Sequence, residues 1–156
     1  MKKVLYAFVA MIMMTACDNK QAATCIGESN VTANEVTFKV AKNYFFNNGQ
    51  TIPSSPKVTT AEDFGKLFGM ATTMGKDGKP TEIDFTKQFV LAIVLPVTDY
   101  ATEINPLKVE EKGDSLFYTY DVKQGEKQSY SIQPMSLIIL DKQYENKEVV
   151  LLENKK

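Results

Sequence analysis

The segment Phe89-Val90-Leu91-Ala92-Ile93-Val94-Leu95 contains seven consecutive apolar residues. A short apolar run without polar alternation is typical of a β-strand that is buried on both of its faces. We therefore expect this segment to be a fully buried strand of the core.

The sequence after this run is rich in strand and turn signals. Apolar and aromatic segments recur at intervals of about 8 to 14 residues, as they do in β-sandwiches and barrels. Gly113-Asp114 and Gln124-Gly125 predict turns between the first three of these segments. The predicted strands are 108–111, 116–122, 129–132, 137–140 and 148–153.

The sequence before the run begins with a strand pattern. Val36, Phe38 and Val40 alternate with polar residues, which predicts a strand with one apolar face. Tyr44-Phe45-Phe46 follows, and Asn47-Asn48-Gly49 ends this region as a turn. We therefore expect the folded domain to begin near Glu35.

One short helix is predicted between these β regions. Thr59 stands three residues before Glu62, which is the spacing of a capping box. Phe64, Leu67, Phe68 and Ala71 follow at i, i+3, i+4 and i+7, which is one face of a helix. Gly65 and Gly69 weaken this helix, so packing must hold it in place. The spacing assigns the phenylalanines, with Met70 and Met74, to core packing rather than to a ligand-binding stripe.

These patterns predict a mainly β (α+β) fold. The expected architecture is an antiparallel β-sandwich or a partly open barrel with one inserted short helix, in a single domain over residues 35–156.

The first 34 residues read as an export signal and a tether. Lys2 and Lys3 precede an apolar run, Val4–Met14, that is shorter than the roughly 20 residues of a membrane-spanning helix. Residues 1–16 are therefore predicted to be a signal peptide. Residues 17–34 are polar and small, without periodicity, and predict a flexible tether.

The junction Met14-Thr15-Ala16-Cys17 resembles the lipobox of bacterial lipoproteins. The resemblance implies cleavage before Cys17 and acylation of this residue, and two or three acyl chains hold a protein on a membrane almost permanently. It places the protein in the bacterial cell envelope, anchored to the outer membrane on its periplasmic face or at the cell surface. Lipidation of Cys17 would leave Cys25 without an intramolecular partner.

The composition excludes several classes of function. The chain has no His, and all 18 of its basic residues are Lys. A Ser-His-Asp triad, an imidazole metal ligand and a bidentate Arg contact to phosphate are therefore impossible. The formal charge of -1 gives no basic field for nucleic acid. We expect no nucleic-acid partner.

Motifs for catalysis and metal binding are also missing from the sequence. Glu110 and Glu111 are adjacent in a predicted strand and point to opposite faces, so they cannot flank one bond. Asp77-Gly78 is not followed by the ligands of a calcium loop, and Gly75–Lys79 does not have the context of a P-loop. We expect no catalytic residues, no metal and no cofactor.

The segment Ile83-Asp84-Phe85-Thr86-Lys87-Gln88-Phe89, which leads into the apolar run, resembles the PrcB-like family, named for a subunit that assists a bacterial surface protease. The similarity extends over residues 83–141 and includes the segments Pro96–Tyr100 and Ser131–Met135. The order Pro-x-Thr-x-Tyr is also similar to the first binding loop of chagasin-type inhibitors of cysteine proteases.

These resemblances imply a β module that contacts a protease, or another envelope protein, through two segments. The implied contact residues are Thr98, Asp99, Tyr100, Gln133, Pro134 and Met135. The structural alternative is that Tyr100 covers a sandwich edge and that Pro134 marks an edge strand.

A different class of function is a carbohydrate or small-ligand carrier. The Tyr and Phe side chains at 44–46 and 117–120 would then form an exposed stacking surface. Separately, Asp114-Ser115-Leu116 resembles the site at which some gut bacteria attach O-linked sugars, and the alternative role of Ser115 is a local hydrogen bond in a turn.

Overall fold

A computed structural model of the protein describes residues 33–75 and 78–155, and these residues form a mainly β sandwich with one short helix, as the sequence predicted. Two four-stranded sheets and a two-stranded ribbon contain the strands. The elements are β1 (Asn34–Glu35), β2 (Lys39–Val40), β3 (Tyr44–Phe46), β4 (Lys57–Val58), α1 (Ala61–Leu67), β5 (Phe68–Met70), β6 (Gln88–Val94), β7 (Thr98–Lys112), β8 (Ser115–Ile132), β9 (Met135–Asp141) and β10 (Glu148–Glu153).

The two large sheets are joined by one bent ribbon. Sheet 1 has the strand order β1-β7-β8-β10, and sheet 2 has the order β2-β9-β6-β4. The antiparallel pair β6–β9 ends with Val94 opposite Met135, and the pair β7–β8 begins with Thr98 opposite Ile132. Only residues 95–97 and 133–134 separate the two pairs. We call this bend the corner, because the ribbon passes there from one sheet to the other.

The inner core lies between the two sheets. Alternate residues of β6, which are Phe89, Leu91 and Ile93, pack there against side chains of β7 and β8. Val109 of β7 and Leu116 of β8 are fully buried in this cluster. The period-2 alternation of a strand places these residues on one face of sheet 2.

The outer core lies on the other face of sheet 2. It contains Val90, Ala92 and Val94 of β6, covered by α1 and by the β3–β5 ribbon. Phe64 of α1 contacts the Phe68 ring, with the ring centroids 5.0 Å apart. The expectation that the apolar run is a strand buried on both faces is therefore confirmed for Phe89–Val94, because each face of β6 belongs to a separate core, whereas Leu95 lies beyond the strand and is half-buried.

The last strand departs from antiparallel pairing. β10 lies parallel to β8, with Glu148 opposite Ser115 and Glu153 opposite Tyr120. Parallel neighbours need a crossover connection, and this one passes through β9 of the other sheet and then a 3-10 turn at Lys142–Tyr144.

Lysine side chains hold this crossover. The Lys57 Nζ donates hydrogen bonds to the carbonyls of Glu145 and Lys147, at 2.5 Å and 2.6 Å. The Lys142 Nζ donates to the Phe85 carbonyl, and the Lys147 Nζ donates to the Gly113 carbonyl. These contacts satisfy main-chain oxygens that no strand pairs.

The helix is shorter than predicted and begins one residue later. Its N-cap is Thr60, not Thr59, and the Thr60 Oγ1 accepts a hydrogen bond from the Asp63 N–H. Phe68 has an extended backbone and starts β5, where Gly69 lies opposite Phe45. Phe68 is buried as expected, since a strand residue can reach the same core as a helix residue at this position.

Two further sequence predictions are wrong. Met70 and Met74 do not belong to the core but are largely exposed. Gln124-Gly125 is not a turn, because β8 continues through both residues. A Cβ at Gly125 would lie 3.3 Å from the Ala101 carbonyl oxygen, so this glycine permits close approach of the two strands.

The predicted signal peptide, the lipobox with Cys17, Cys25 and most of the tether lie outside the described residues, as do Lys76 and Asp77 of the glycine-containing loop. Within residues 33–75 and 78–155, no helix has the length and apolar character needed to cross a membrane.

Candidate functional site

The structure brings the two predicted contact segments together at the corner. Thr98 lies opposite Ile132, and the Leu95 N–H donates a hydrogen bond of 2.9 Å to the Pro134 carbonyl. Thr98 and Pro134 line one surface depression of about 460 Å³. Thr98 and Pro134, which are 36 residues apart in the sequence, therefore share one surface, and they are the two predicted contact residues among those that line it.

Tyr100 lies in an irregular part of β7. The pairing register with β8 shifts on both sides of it, between Thr98 and Tyr100 and between Tyr100 and Thr102. The Thr98 Oγ1 accepts a hydrogen bond from the Tyr100 N–H, and the Thr102 Oγ1 donates to the Tyr100 carbonyl. Such bulges redirect side chains, and the Tyr100 side chain is 40% exposed.

Asp99 fastens this part of β7 to β8. Its carboxylate lies 2.9 Å from the Lys127 Nζ, and both side chains are substantially exposed. An exposed pair of this kind contributes about 1 kcal/mol or less to stability. Its main effect is to fix the strand beside Tyr100.

The second predicted contact segment, residues 133–135, is largely buried and does not form an exposed loop. Pro134 is buried, and Gln133 and Met135 are half-buried. Met135 already belongs to β9, opposite Val94. Pro134 therefore offers little surface of its own and instead positions its neighbours.

Two exposed apolar residues near the corner were missed by the sequence analysis. Val97 is 64% exposed and lies within the corner itself. Tyr130 is 59% exposed and lies on β8, close to the corner in sequence. In a strand, Tyr130 shares a face with Gln128 and Ile132, and the polar Gln128 was the only local signal that this face is not a continuous apolar one.

The aromatic residues at 44–46 and 117–120 do not form an exposed stacking surface. They belong to different sheets, and Phe46 and Tyr118 are buried. Phe117 is half-buried, and the Lys112 Nζ lies 5.1 Å from its ring centroid. The predicted carbohydrate-stacking row is therefore wrong in its geometry.

The carboxylates that the sequence analysis considered are held by lysines. Glu110 pairs with Lys108 at 3.0 Å, and this contact holds the pKa of the Glu110 carboxyl below its usual range. Glu111 pairs instead with Lys147 at 2.7 Å. The two adjacent carboxylates thus engage different lysines, as strand alternation requires. In the described ranges, no group of three or more His, Cys, Asp or Glu side chains is arranged to hold a metal ion.

Ser115 is the first residue of β8. It follows the turn at Gly113, whose φ is 59°, and it lies between Lys112 of β7 and Glu148 of β10. Its side chain is half-buried. Ser115 is therefore a strand residue beside the turn rather than a residue within it.

No protein-family model, curated protein or solved structure matches the chain. The resemblance of residues 83–141 to the PrcB-like family therefore stays a prediction.

Proposed function

We propose that the protein is a non-catalytic lipoprotein of the bacterial cell envelope, whose corner binds a protein partner. The partner class that the resemblances favour is a protease, with the protein acting as an inhibitor or as an accessory subunit. The observation that carries this proposal is that Thr98 and Pro134 line one depression at the corner, with the exposed Tyr100 two residues beyond Thr98 on β7.

The surface of the corner supports this role. Val97 and Tyr100 are exposed apolar and aromatic side chains, and hydrogen bonds from the Leu95 and Tyr100 N–H groups hold the backbone on either side of Val97. Aromatic anchors held on a rigid backbone dominate the binding energy of many protein interfaces. Little conformational entropy would be lost when such a surface binds.

The edges of the long ribbon add a second means of contact. β10 pairs with β8 only as far as Tyr120, and β1 pairs with β7 only at Glu110 and Glu111. In the part of the chain that the structure describes, no strand pairs with the outer edges of the ribbon between these positions and the corner. Free strand edges can accept an extended segment of a partner protein.

The test is a titration of the full chain against secreted cysteine and serine proteases, with activity and thermal stability of each protease as readouts. The variant Tyr100→Ala is expected to weaken any effect by at least about tenfold, which corresponds to about 1.4 kcal/mol. The matched control is Phe45→Ala, since Phe45 is an aromatic residue of similar exposure, 49%, and lies on β3, outside the β7–β8 ribbon. An effect that Phe45→Ala reduces as much as Tyr100→Ala, or no effect on any protease, contradicts the proposal.

The membrane anchor is a separate part of the proposal and has its own test. Metabolic labelling with a radioactive fatty acid is expected to label the wild-type protein and not the Cys17→Ser variant. The matched control is Cys25→Ser, which should keep the label. Labelling that survives the loss of Cys17 would exclude an anchor at this residue.

We also propose Ser115 as a site of O-linked glycosylation. Its position at the start of β8, directly after an exposed turn, supports access from that side. Intact-mass measurement of protein from its native envelope should show a sugar mass that Ser115→Ala removes and Ser129→Ala keeps.

A further inference from the structure

A second concave surface lies on the opposite side of sheet 2 from the inner core, under the helix. It is a cleft of about 520 Å³, bounded by α1, the β3–β5 ribbon and residues 79–85. Its walls are mainly aromatic and aliphatic: Tyr44, Phe64, Phe68, Met70, Ile83 and Phe85. This cleft is separate from the corner.

The aromatic walls are held rigidly. Phe64 packs at the centre, with its ring centroid 5.1 Å from that of Tyr44 and 5.5 Å from that of Phe85. The Tyr44 hydroxyl donates a hydrogen bond of 2.7 Å to the Thr81 carbonyl, which fixes the ring on the segment that closes the cleft. The walls therefore exist before any ligand binds, as in most small-molecule sites.

A glycine opens the helix side of the cleft. Ala61, Phe64 and Gly65 share one face of α1, and Ala61 and Gly65 are its small members. A Cβ at Gly65 would meet no atom within 4 Å, so the space beside this residue is empty. Larger side chains at this position would fill the cleft without backbone strain.

The charges around the cleft are balanced. Lys79 and Glu82 both line it, and neither forms an ion pair with any residue in the described ranges. One cation and one anion give no net field that would favour a charged ligand. Affinity must then come from the burial of apolar surface.

The size of the cleft favours a small-molecule ligand over a protein partner. Small-molecule sites occupy about 300 to 1,000 Å³, whereas stable protein interfaces are broad and bury about 800 Å² on each partner. A recess of about 520 Å³ fits the first class. We propose that this cleft binds a neutral small molecule with a compact aromatic or aliphatic body, independently of the function proposed for the corner.

The test uses two fluorescent probes that differ by one charged group. N-phenyl-1-naphthylamine is neutral, and 1-anilinonaphthalene-8-sulfonate adds a sulfonate to the same rings. The chain has no Trp, so protein emission does not interfere with either probe. We expect the full chain to bind the neutral probe saturably and more tightly than the anionic probe.

Cleft-filling variants locate this binding. Gly65→Leu is expected to weaken binding of the neutral probe by about tenfold or more, and Ala61→Leu is a second filling variant if the first does not fold. The matched control is Glu62→Leu on the same helix, because Glu62 is exposed and does not line the cleft. The control should stay within about twofold of the wild type, since about 0.4 kcal/mol separates such affinities.

A label on methionine provides an independent readout. In ¹³C-methyl spectra the neutral probe should shift the Met70 signal and leave Met135, which does not line the cleft, unchanged. Equal loss of binding in Gly65→Leu and Glu62→Leu, or tighter cleft binding of the anionic probe, would overturn the proposal. Binding that shifts Met135 but not Met70 would do the same.

Discussion

Tyr118 places a phenol in the centre of the inner core. It is fully buried, and its hydroxyl makes no hydrogen bond of good geometry, although Ser136 interacts with it. Burial raises the pKa of Tyr118 from 10.0 to about 12. A buried hydroxyl without a good partner lowers stability compared with an apolar ring of the same shape.

This pKa shift makes stability depend on alkaline pH. Above pH 10 the unfolded chain loses the Tyr118 proton, whereas the folded state keeps it up to about pH 12. The free energy of unfolding therefore keeps its full value from this group below pH 10 and decreases as the pH rises from 10 towards 12. The free energy of unfolding should fall by up to about 3 kcal/mol over this range, at about 1.4 kcal/mol for each pKa unit. Urea unfolding of the wild type and of Tyr118→Phe from pH 8 to 12 measures it.

Tyr118→Phe should be neutral or slightly stabilising at pH 8 and should lose less stability by pH 12. Tyr44 and Tyr120, whose pKa values are also raised by burial, should contribute to the decline that remains in the variant. Identical pH profiles for the two proteins would show that Tyr118 is not responsible.

Phe45 and Gly69 form a cross-strand pair whose contact can be tested by mutation. They lie opposite each other in the β3–β5 ribbon, and a Cβ at Gly69 would overlap the Phe45 ring. An aromatic ring that covers a cross-strand glycine protects backbone that would otherwise be exposed.

Gly69→Ala should therefore displace the Phe45 ring, and because Phe45 is half exposed the cost should be about 1 kcal/mol or less. In the Phe45→Ala background the same substitution should be nearly neutral. Denaturant unfolding of the two single variants and the double variant gives the coupling energy. Additive effects would show that the two residues act separately.

At the level of elements, the crossover to β10 depends on Lys57. Its ammonium group contacts two carbonyls that lie just before β10. Lys57→Met keeps the apolar stem but leaves both carbonyls without this donor, and it should lower the free energy of unfolding by about 1 to 3 kcal/mol. Hydrogen exchange of the β10 amides should accelerate at the same time.

The matched control is Lys39→Met, since Lys39 is an exposed strand residue. This control should change stability by no more than about 0.5 kcal/mol. If exchange in β10 is as slow in Lys57→Met as in the control, the crossover is held by other contacts.

The helix shows why local patterns predict elements better than their ends. Thr59-x-x-Glu62 and Thr60-x-x-Asp63 are overlapping capping signals, and the structure uses the second. Phe68 satisfies a helical spacing from Phe64, yet pairing with Phe46 makes it a strand residue. Both differences depend on contacts between distant segments, which local spacing does not contain.

The candidate site was also predictable only in part, because local patterns do not contain contacts between distant segments. Bulky Tyr100 beside two threonine-stabilised bulges is exposed, as a contact residue must be. The burial of Pro134 depends on the bend at which its carbonyl accepts a hydrogen bond from the Leu95 N–H, and no local pattern encodes that bend. The parallel orientation of β10 could not be predicted from the sequence either, because an apolar run fits parallel and antiparallel pairing alike.

For the whole molecule, the position of β6 between two cores predicts one cooperative unfolding transition. Phe64→Ala removes a ring from the outer core, and Leu116→Ala removes a side chain from the inner core. Each should lower the free energy of unfolding by about 2 to 5 kcal/mol and shift the same single transition.

Circular dichroism of the sheets and tyrosine fluorescence should therefore report coincident denaturation curves for both variants. Leu107→Ala, which removes an exposed side chain, should change the curve little. A separate early transition in Phe64→Ala alone would show that the helix side unfolds independently of the sandwich.

The lysine contacts of the crossover should also determine which lysine side chains are acylated quickly by an activated ester. An amine reacts with an activated ester only when the reagent can reach the nitrogen, and hydrogen bonds from the nitrogen to carbonyls obstruct that approach. The amines of Lys57, Lys142 and Lys147 all donate to carbonyls, so they should be modified slowly, whereas the exposed Lys39 should be modified quickly. Because the chain has no arginine, the pattern of amine labelling covers every cationic side chain of the protein.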